Sequence, residues 1–216
     1  MIRDTRKNDL YFEKYIAYQN DRINKFTNAL KNMPDKEGVK RCSRMLSNFI
    51  RDLFSAKYSI GASKDELKGI FIQYLSVVNE CKIQEYSEYI NAVAIAILLN
   101  VNLTDVRKIA GKEIEMDDLL NKLFDFPSSI DKPLKYPDYY QIFLDYLTGK
   151  IGNDEFNDYI KEKWYMSSAD FAWYDSHKDN NDTYVGYWCW LAAACLKLKR
   201  IVNSKKNIYI PYDLID

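Results

Sequence analysis

Apolar residues return every three or four positions along most of this chain. Phe12, Ile16, Ile23, Phe26 and Leu30, with Gln19 in register, predict a long amphipathic helix that Pro34 ends. Val39, Cys42, Met45, Leu46, Phe49, Ile50, Leu53 and Phe54 make a second stripe that stops near Gly61. Ser63-Lys64-Asp65-Glu66 reads as a capping box, and Leu67, Ile70, Phe71, Tyr74, Leu75 and Val78 carry the third helix it opens. The fourth, over 85–99, is apolar on most sides and belongs at the centre of a core.

Shorter helices follow at 104–110, ending at Gly111, and at 117–126. Pro127, Pro133 and Pro137 then mark an irregular loop. Periodicity resumes over 138–147 and 153–165. A last long helix is expected after the polar run 175–182, with Thr183 as its cap and Tyr184, Tyr187, Trp188, Leu191, Ala194, Cys195 and Leu198 on one face. Gly186 falls inside that helix, where glycine costs about 1 kcal/mol relative to alanine, so close approach of another group is its expected reason. Only 207–212 looks extended. The fold class expected is all-α, a compact bundle of roughly eight to ten helices.

At 216 residues the chain is long enough to bury a sizeable core. With 47% hydrophobic and 29% charged residues and few Gly and Pro, it reads as an ordered, soluble protein. The opening MIRDTRKNDL lacks the apolar stretch of a signal peptide, and no apolar run approaches the ~20 residues of a membrane span. Cys42, Cys81, Cys189 and Cys195 show no paired spacing and read as small core residues in a reducing compartment, so a cytoplasmic location is expected.

Catalytic signals are weak. His177 is the single histidine, and Ser176 beside it makes no nucleophile–base pair by adjacency. It reads as a hydrogen-bond partner that orders its loop. Neither a metal-ligand cluster nor a glycine-rich phosphate loop is present, and carboxylate pairs such as Asp117-Asp118 are common in acidic helices. No enzyme and no cofactor is expected.

Charge sums to zero, yet it is unevenly spread. Residues 1–68 hold 15 Lys/Arg against 9 Asp/Glu, whereas residues 113–182 hold 16 Asp/Glu against 7 Lys. An acidic tract suits a partner with a basic surface, because complementary fields speed encounter. The bland explanation is that these charges satisfy one another or form solvated faces. On the sharper reading Asp154, Glu155, Asp158, Glu162, Asp175, Asp179 and Asp182 face the partner, with Tyr159, Trp173 and Tyr174 as aromatic anchors. A competing class, a helical nucleic-acid-binding or regulatory protein, would use the basic residues Lys31, Lys36, Lys40, Arg41 and Arg44. Zero net charge and the absence of a helix-turn-helix signature weigh against it.

All four tryptophans, Trp164, Trp173, Trp188 and Trp190, lie within 27 consecutive residues. In order come a Trp-Tyr pair, the turn Trp173-Tyr174-Asp175-Ser176-His177-Lys178, the cluster Tyr184-Val185-Gly186-Tyr187-Trp188, an Ala-rich helix, and Ile210-Pro211-Tyr212-Asp213-Leu214. This succession resembles the C-terminal region of the PoNi-type immunity proteins of bacterial polymorphic toxin systems. The Arg3-Asp4 start and Tyr11-Phe12-Glu13-Lys14-Tyr15-Ile16 are similar to the family's N-terminal helical region. The resemblance implies two regions, 1–112 and 113–216, packed as one unit. It also implies a cytoplasmic protein that binds the toxin domain of a secreted effector, in the namesake group a DNase, and blocks it stoichiometrically without catalysis. Gly186, Tyr187, Trp188, Tyr212 and Asp213 match the family pattern and carry over as fold-defining positions. Where the family's helix usually has an acidic residue after this element, the chain has Trp190-Leu191, so no charged role carries over there. Direct binding of nucleic acid or membrane is not implied, and the oligomeric state is left open.

Overall fold

The computed structural model describes residues 2–125, 132–179, 181–201 and 206–216. Among them are nine α-helices and no strand: α1 (Asp9–Lys31), α2 (Lys36–Ile60), α3 (Lys64–Cys81), α4 (Tyr86–Leu99), α5 (Leu103–Lys108), α6 (Asp118–Leu123), α7 (Pro137–Thr148), α8 (Asn153–Tyr159) and α9 (Trp190–Leu198). The chain divides into two units that alternate along the sequence. Unit 1 takes residues 1–83, 107–109 and 175–187, and unit 2 takes 84–106, 110–174 and 188–216.

Unit 1 is built on α1, α2 and α3, with α2 packing against both others. Phe12 and Ile23 from α1, Leu46, Ile50 and Phe54 from α2, and Leu67, Phe71 and Val78 from α3 are buried on the faces that the three-and-four spacing picks out. Each helix has a chemical start. The side chains of Asn8, Asp35 and Ser63 accept the amides of Tyr11, Gly38 and Glu66 at 2.9, 2.7 and 3.2 Å. Gly61 ends α2 in the left-handed region at φ 101°, as its position in the pattern required. In the expected capping box the serine does its part, and the Glu66 carboxylate takes the Lys57 ammonium at 2.7 Å.

Unit 2 is organised around α4, of which 11 of 14 residues are buried. The helix expected to be apolar on most sides is therefore the central one. Against it packs α9, where Ala192, Ala193 and Ala194 are fully buried and allow close approach. Asp117 joins three elements of this unit. Its carboxylate caps α6 through Leu120 N–H (3.0 Å), accepts the Tyr86 hydroxyl (2.7 Å) and receives the Lys135 amide (3.1 Å). Tyr146 and Phe156 stack at 4.0 Å with planes 5° apart, joining α7 to α8.

Four expected features come out differently. The helix expected over 117–126 spans Asp118–Leu123, and Phe126 and Pro127 lie outside the described residues. The segment 153–165 is α helical only to Tyr159 and continues as a π-helical turn, Ile160–Trp164. Residues 207–212 form turns, with the Asn207 side chain accepting the Tyr209 amide at 3.0 Å, and a 3₁₀ turn follows at Tyr212–Leu214.

The largest difference is that the last long helix begins at Trp190, not after Thr183. Its would-be first turn is spoken for by other groups. The Tyr11 hydroxyl receives the Tyr184 amide and donates to the Tyr184 carbonyl, both at 2.9 Å, and the Ser59 hydroxyl donates to the Val185 carbonyl at 2.7 Å. Gly186 then lies at φ 109°, outside any helix, so a backbone setting that L side chains avoid accounts for this glycine. We expect Gly186→Ala to destabilise the protein by about 1–2 kcal/mol and lower its Tm by about 2–8 °C. Thermal unfolding measures this, and an unshifted melting curve would contradict the assigned backbone conformation.

Candidate functional site

The ten residues singled out for recognition fall into two groups. Asp175, Asp179 and Asp182 belong to the 175–187 segment of unit 1; Asp154, Glu155, Asp158, Tyr159, Glu162, Trp173 and Tyr174 belong to unit 2.

In unit 1 the segment is anchored from beneath. The Tyr184 phenol donates to the buried Asp4 carboxylate, which also accepts the Arg6 amide at 3.0 Å and its guanidinium at 3.2 Å. That guanidinium lies 5.2 Å from the centre of the Tyr187 ring. Burial, followed by the bonded Asp4, pushes the Tyr184 phenol far above its ordinary value; burial pushes Tyr11 up to about 12. Both phenols therefore stay protonated and keep donating.

His177 orders the loop as its residue type suggested. Its amide donates to the Tyr187 hydroxyl at 3.1 Å, and its Nδ1 lies 2.8 Å from the same oxygen. That oxygen accepts the amide and either donates to Nδ1 or accepts from it, according to the tautomer of the ring. Asp179 and Asp182 are exposed, whereas Asp175 is half-buried, sits at φ 56° and pairs with Lys178 at 2.7 Å. Asp175 thus offers a partner less uncompensated charge than the other two.

In unit 2, α8 and the π turn bury Phe156, Asn157 and Ile160 and expose Asp154, Glu155, Asp158 and Glu162. Tyr159 is half-buried, and burial raises its phenol above its ordinary value. The π turn ends in Trp164, where an array of rings begins. Trp164 stacks on Trp173 (5.8 Å, 25°), and Tyr165 stacks on Tyr174 (4.6 Å, 28°). Tyr209 lies parallel to Tyr165 (5.4 Å, 7°) and tilts against Trp164 (5.4 Å). Phe171 extends the array from Trp173 (6.1 Å) to Tyr139 on α7 (6.0 Å, edge-on).

These rings are not core. Trp164, Tyr165, Trp173, Tyr174 and Tyr209 are half-buried, while Phe171 and Tyr139 are 42% and 45% exposed and Met166 61%. The structure therefore joins Trp173 and Tyr174 to partners that the sequence reading did not place among the recognition residues. For five of these rings a signal was available, since Trp164, Tyr165, Phe171, Trp173 and Tyr174 fall within 11 consecutive residues. Tyr139 and Tyr209 come from distant segments and had none.

Of the motif positions, Gly186 supplies the positive φ and Tyr187 is buried against His177. Trp188 is half-buried 6.4 Å from Trp190, and Tyr212 and Asp213 open the 3₁₀ turn that buries Leu214. Among the described residues no group of three or more His, Cys, Asp or Glu is placed to hold a metal ion, and no helix is long and apolar enough to cross a membrane. Burial pushes the Cys189 thiol up to about 12 and Cys195 well above its ordinary value, so both are poor nucleophiles.

Two family sequence models match the chain in succession. Residues 3–111 match the N-terminal model of the PoNe immunity protein (PoNi) family, and residues 115–214 match its C-terminal model. No curated protein sequence matches. Among solved structures, the crystal structure of protein PA2201 from Pseudomonas aeruginosa aligns with a TM-score of 0.72 at 11% identity, covering 100% of this chain and 89% of that one. At that identity the likeness concerns the fold alone.

Desolvation holds the His177 pKa below 6.5; Arg6, Lys178 and Lys7 add to the effect, and Asp175 opposes it. A histidine with a lowered native pKa binds protons more readily when unfolded, so its contribution to stability is complete above pH 6.5 and shrinks as pH falls from there toward the native pKa. We expect wild type to lose more Tm than His177→Gln between neutral pH and pH about 5.5. Equal slopes in thermal melts of the two proteins would exclude this linkage.

Proposed function

The chain belongs to the PoNe immunity protein (PoNi) family, and we propose that it neutralises a cognate nuclease toxin by stoichiometric binding in the cytoplasm of the cell that makes it. The observation that carries this reading is the consecutive match of both family models, which together span residues 3–214 apart from 112–114. Protein binding requires no catalytic group, and the polar clusters described above serve other ends: Asp4–Tyr184–Arg6 and His177–Tyr187 tie down a loop, and Asp117 caps a helix.

Contact is assigned to the exposed carboxylates of α8 and the π turn, Asp154, Glu155, Asp158 and Glu162, with Tyr159, Trp173 and Tyr174 as anchors; Asp175, Asp179 and Asp182 supply a second set. A nuclease must hold a polyanion, so its working surface is cationic, and a carboxylate-bearing helix is attracted to the same charge. The alternative, direct nucleic-acid binding, draws on Lys31 at the end of α1 and on Lys36, Lys40, Arg41 and Arg44 of α2, all exposed, though Glu37 lies among them. Tight, salt-sensitive retardation of DNA by the purified chain would favour that alternative.

Co-expression of this chain with the toxin domain encoded beside its gene is expected to restore growth, and the purified pair to form a stable complex. Failure of both would overturn the immunity reading. Asp154→Asn, Glu155→Gln and Asp158→Asn combined are expected to slow association about tenfold at low salt and to flatten its salt dependence. Stopped-flow kinetics reads the effect, and an unchanged rate removes α8 from the interface.

A further inference from the structure

The ring array of unit 2 is too exposed to be core and too ordered to be scattered surface. Trp164, Trp173, Tyr165 and Tyr174 form two stacked pairs, Tyr209 touches one ring of each, and Phe171 and Met166 lie open at the margin. Contiguous apolar surface of this kind marks an interaction site. The chemistry around it narrows the partner.

Aromatic faces carry negative potential. Exposed carboxylates adjoin the rings in the chain: Glu162 lies two residues before Trp164, Asp170 precedes Phe171 and Asp138 precedes Tyr139. From 153 to 174 the chain holds five Asp/Glu and two Lys. Such a setting repels lipid and nucleic-acid phosphates and draws in a cation. Between the two biological cations it favours the flat guanidinium, which stacks on a ring and is less strongly hydrated than an ammonium, while its edge N–H groups remain free for a carboxylate.

We infer that this array is an arginine-capturing surface, in which arginine side chains of the toxin stack on the rings around Trp173 and Phe171 and are held at their edges by carboxylates such as Glu162 and Asp170. The inference rests on the immunity reading and adds to it the chemical identity of the group that is grasped. On this view Trp164, Tyr165 and Tyr209 set the orientation of Trp173 and Tyr174, and Phe171 is itself a contact.

The test uses the full chain and two probes, hexa-arginine and hexa-lysine peptides, followed by tryptophan fluorescence at low salt. Wild type is expected to bind hexa-arginine about fivefold tighter, and the alanine variants separate the share of that preference due to ring stacking from the share due to bidentate pairing with carboxylates. Trp173→Ala is expected to erase the preference and Trp173→Phe to keep it; Phe171→Ala, at an exposed position, gives the same readout should Trp173→Ala not fold. Equal binding of the two peptides by wild type, or a preference that survives both alanine substitutions, overturns the inference. So does tighter binding of an oligothymidylate or of phosphatidylglycerol vesicles. With the neighbouring toxin domain, Trp173→Ala is expected to speed dissociation about 30-fold. If wild type binds the toxin and neither alanine variant releases it faster, the array is not the anchor and the immunity reading stands. If wild type does not bind the toxin, both fall.

Discussion

Tyr184 is the residue on which the arrangement of unit 1 turns. Its phenol is bound to a buried carboxylate, and both its backbone groups are taken by one hydroxyl from α1. A buried carboxylate without partners would be far too costly to retain, and Asp4 is tolerated because a phenol, an amide and a guanidinium converge on it. The same contacts forbid a helix at Tyr184, since a helical residue must direct its carbonyl four residues ahead. One cluster thereby fixes the N-terminal segment, the loop bearing Asp179 and Asp182, and the point beyond which α9 can start.

This explains what sequence alone could and could not give. The stripes of α1 to α4 were legible because each helix carries apolar residues at helical spacing, with a recognisable capping box at the start of α3 and a glycine in the left-handed region at the end of α2; α4 has no side-chain cap and was read from its apolar run alone. The start of α9 was not, because residues 184–189 have helical periodicity but are held out of a helix by distant groups: hydroxyls from Tyr11 and Ser59, 173 and 126 residues away, and the Tyr209 carbonyl, which accepts the Cys189 amide at 2.8 Å. Gly186 was noticed as out of place in a helix, but its reason lay in φ and not in crowding. Local pattern was overridden by distant side chains, which periodicity does not record.

The proposed recognition surface was half visible for a related reason. Exposed carboxylates on α8 follow from an amphipathic pattern in which Phe156 and Ile160 face inward. The continuation into a π turn does not follow from that pattern, and it decides where Trp164 and Tyr165 emerge. An α-helix advances 100° per residue and a π turn less, so the inserted turn shifts every later side chain around the axis. Stacking of Trp164 on Trp173 and of Tyr165 on Tyr174 depends on that shift together with the turns through 166–174. Composition announced an aromatic cluster; only the fold turns it into an ordered array.

Charge and rings also divide the work of binding differently. On the proposed reading, carboxylates on α8 act at a distance of about one Debye length, roughly 8 Å at physiological salt, and so govern how fast a basic partner arrives. On the same reading the rings act only on contact, through area removed from water and through stacking, and so govern how long it stays. An immunity protein must track changes in its own toxin while discriminating against others. Exposed positions such as Asp154, Glu155 and Phe171 can vary without disturbing Phe156, Ile160 or the Ala-rich face of α9, whose burial fixes the fold. On that reading the scaffold separates the residues that hold unit 2 together from those proposed to choose its partner, and the half-buried tryptophans, which belong partly to each set, are where a change is expected to be felt in both stability and lifetime.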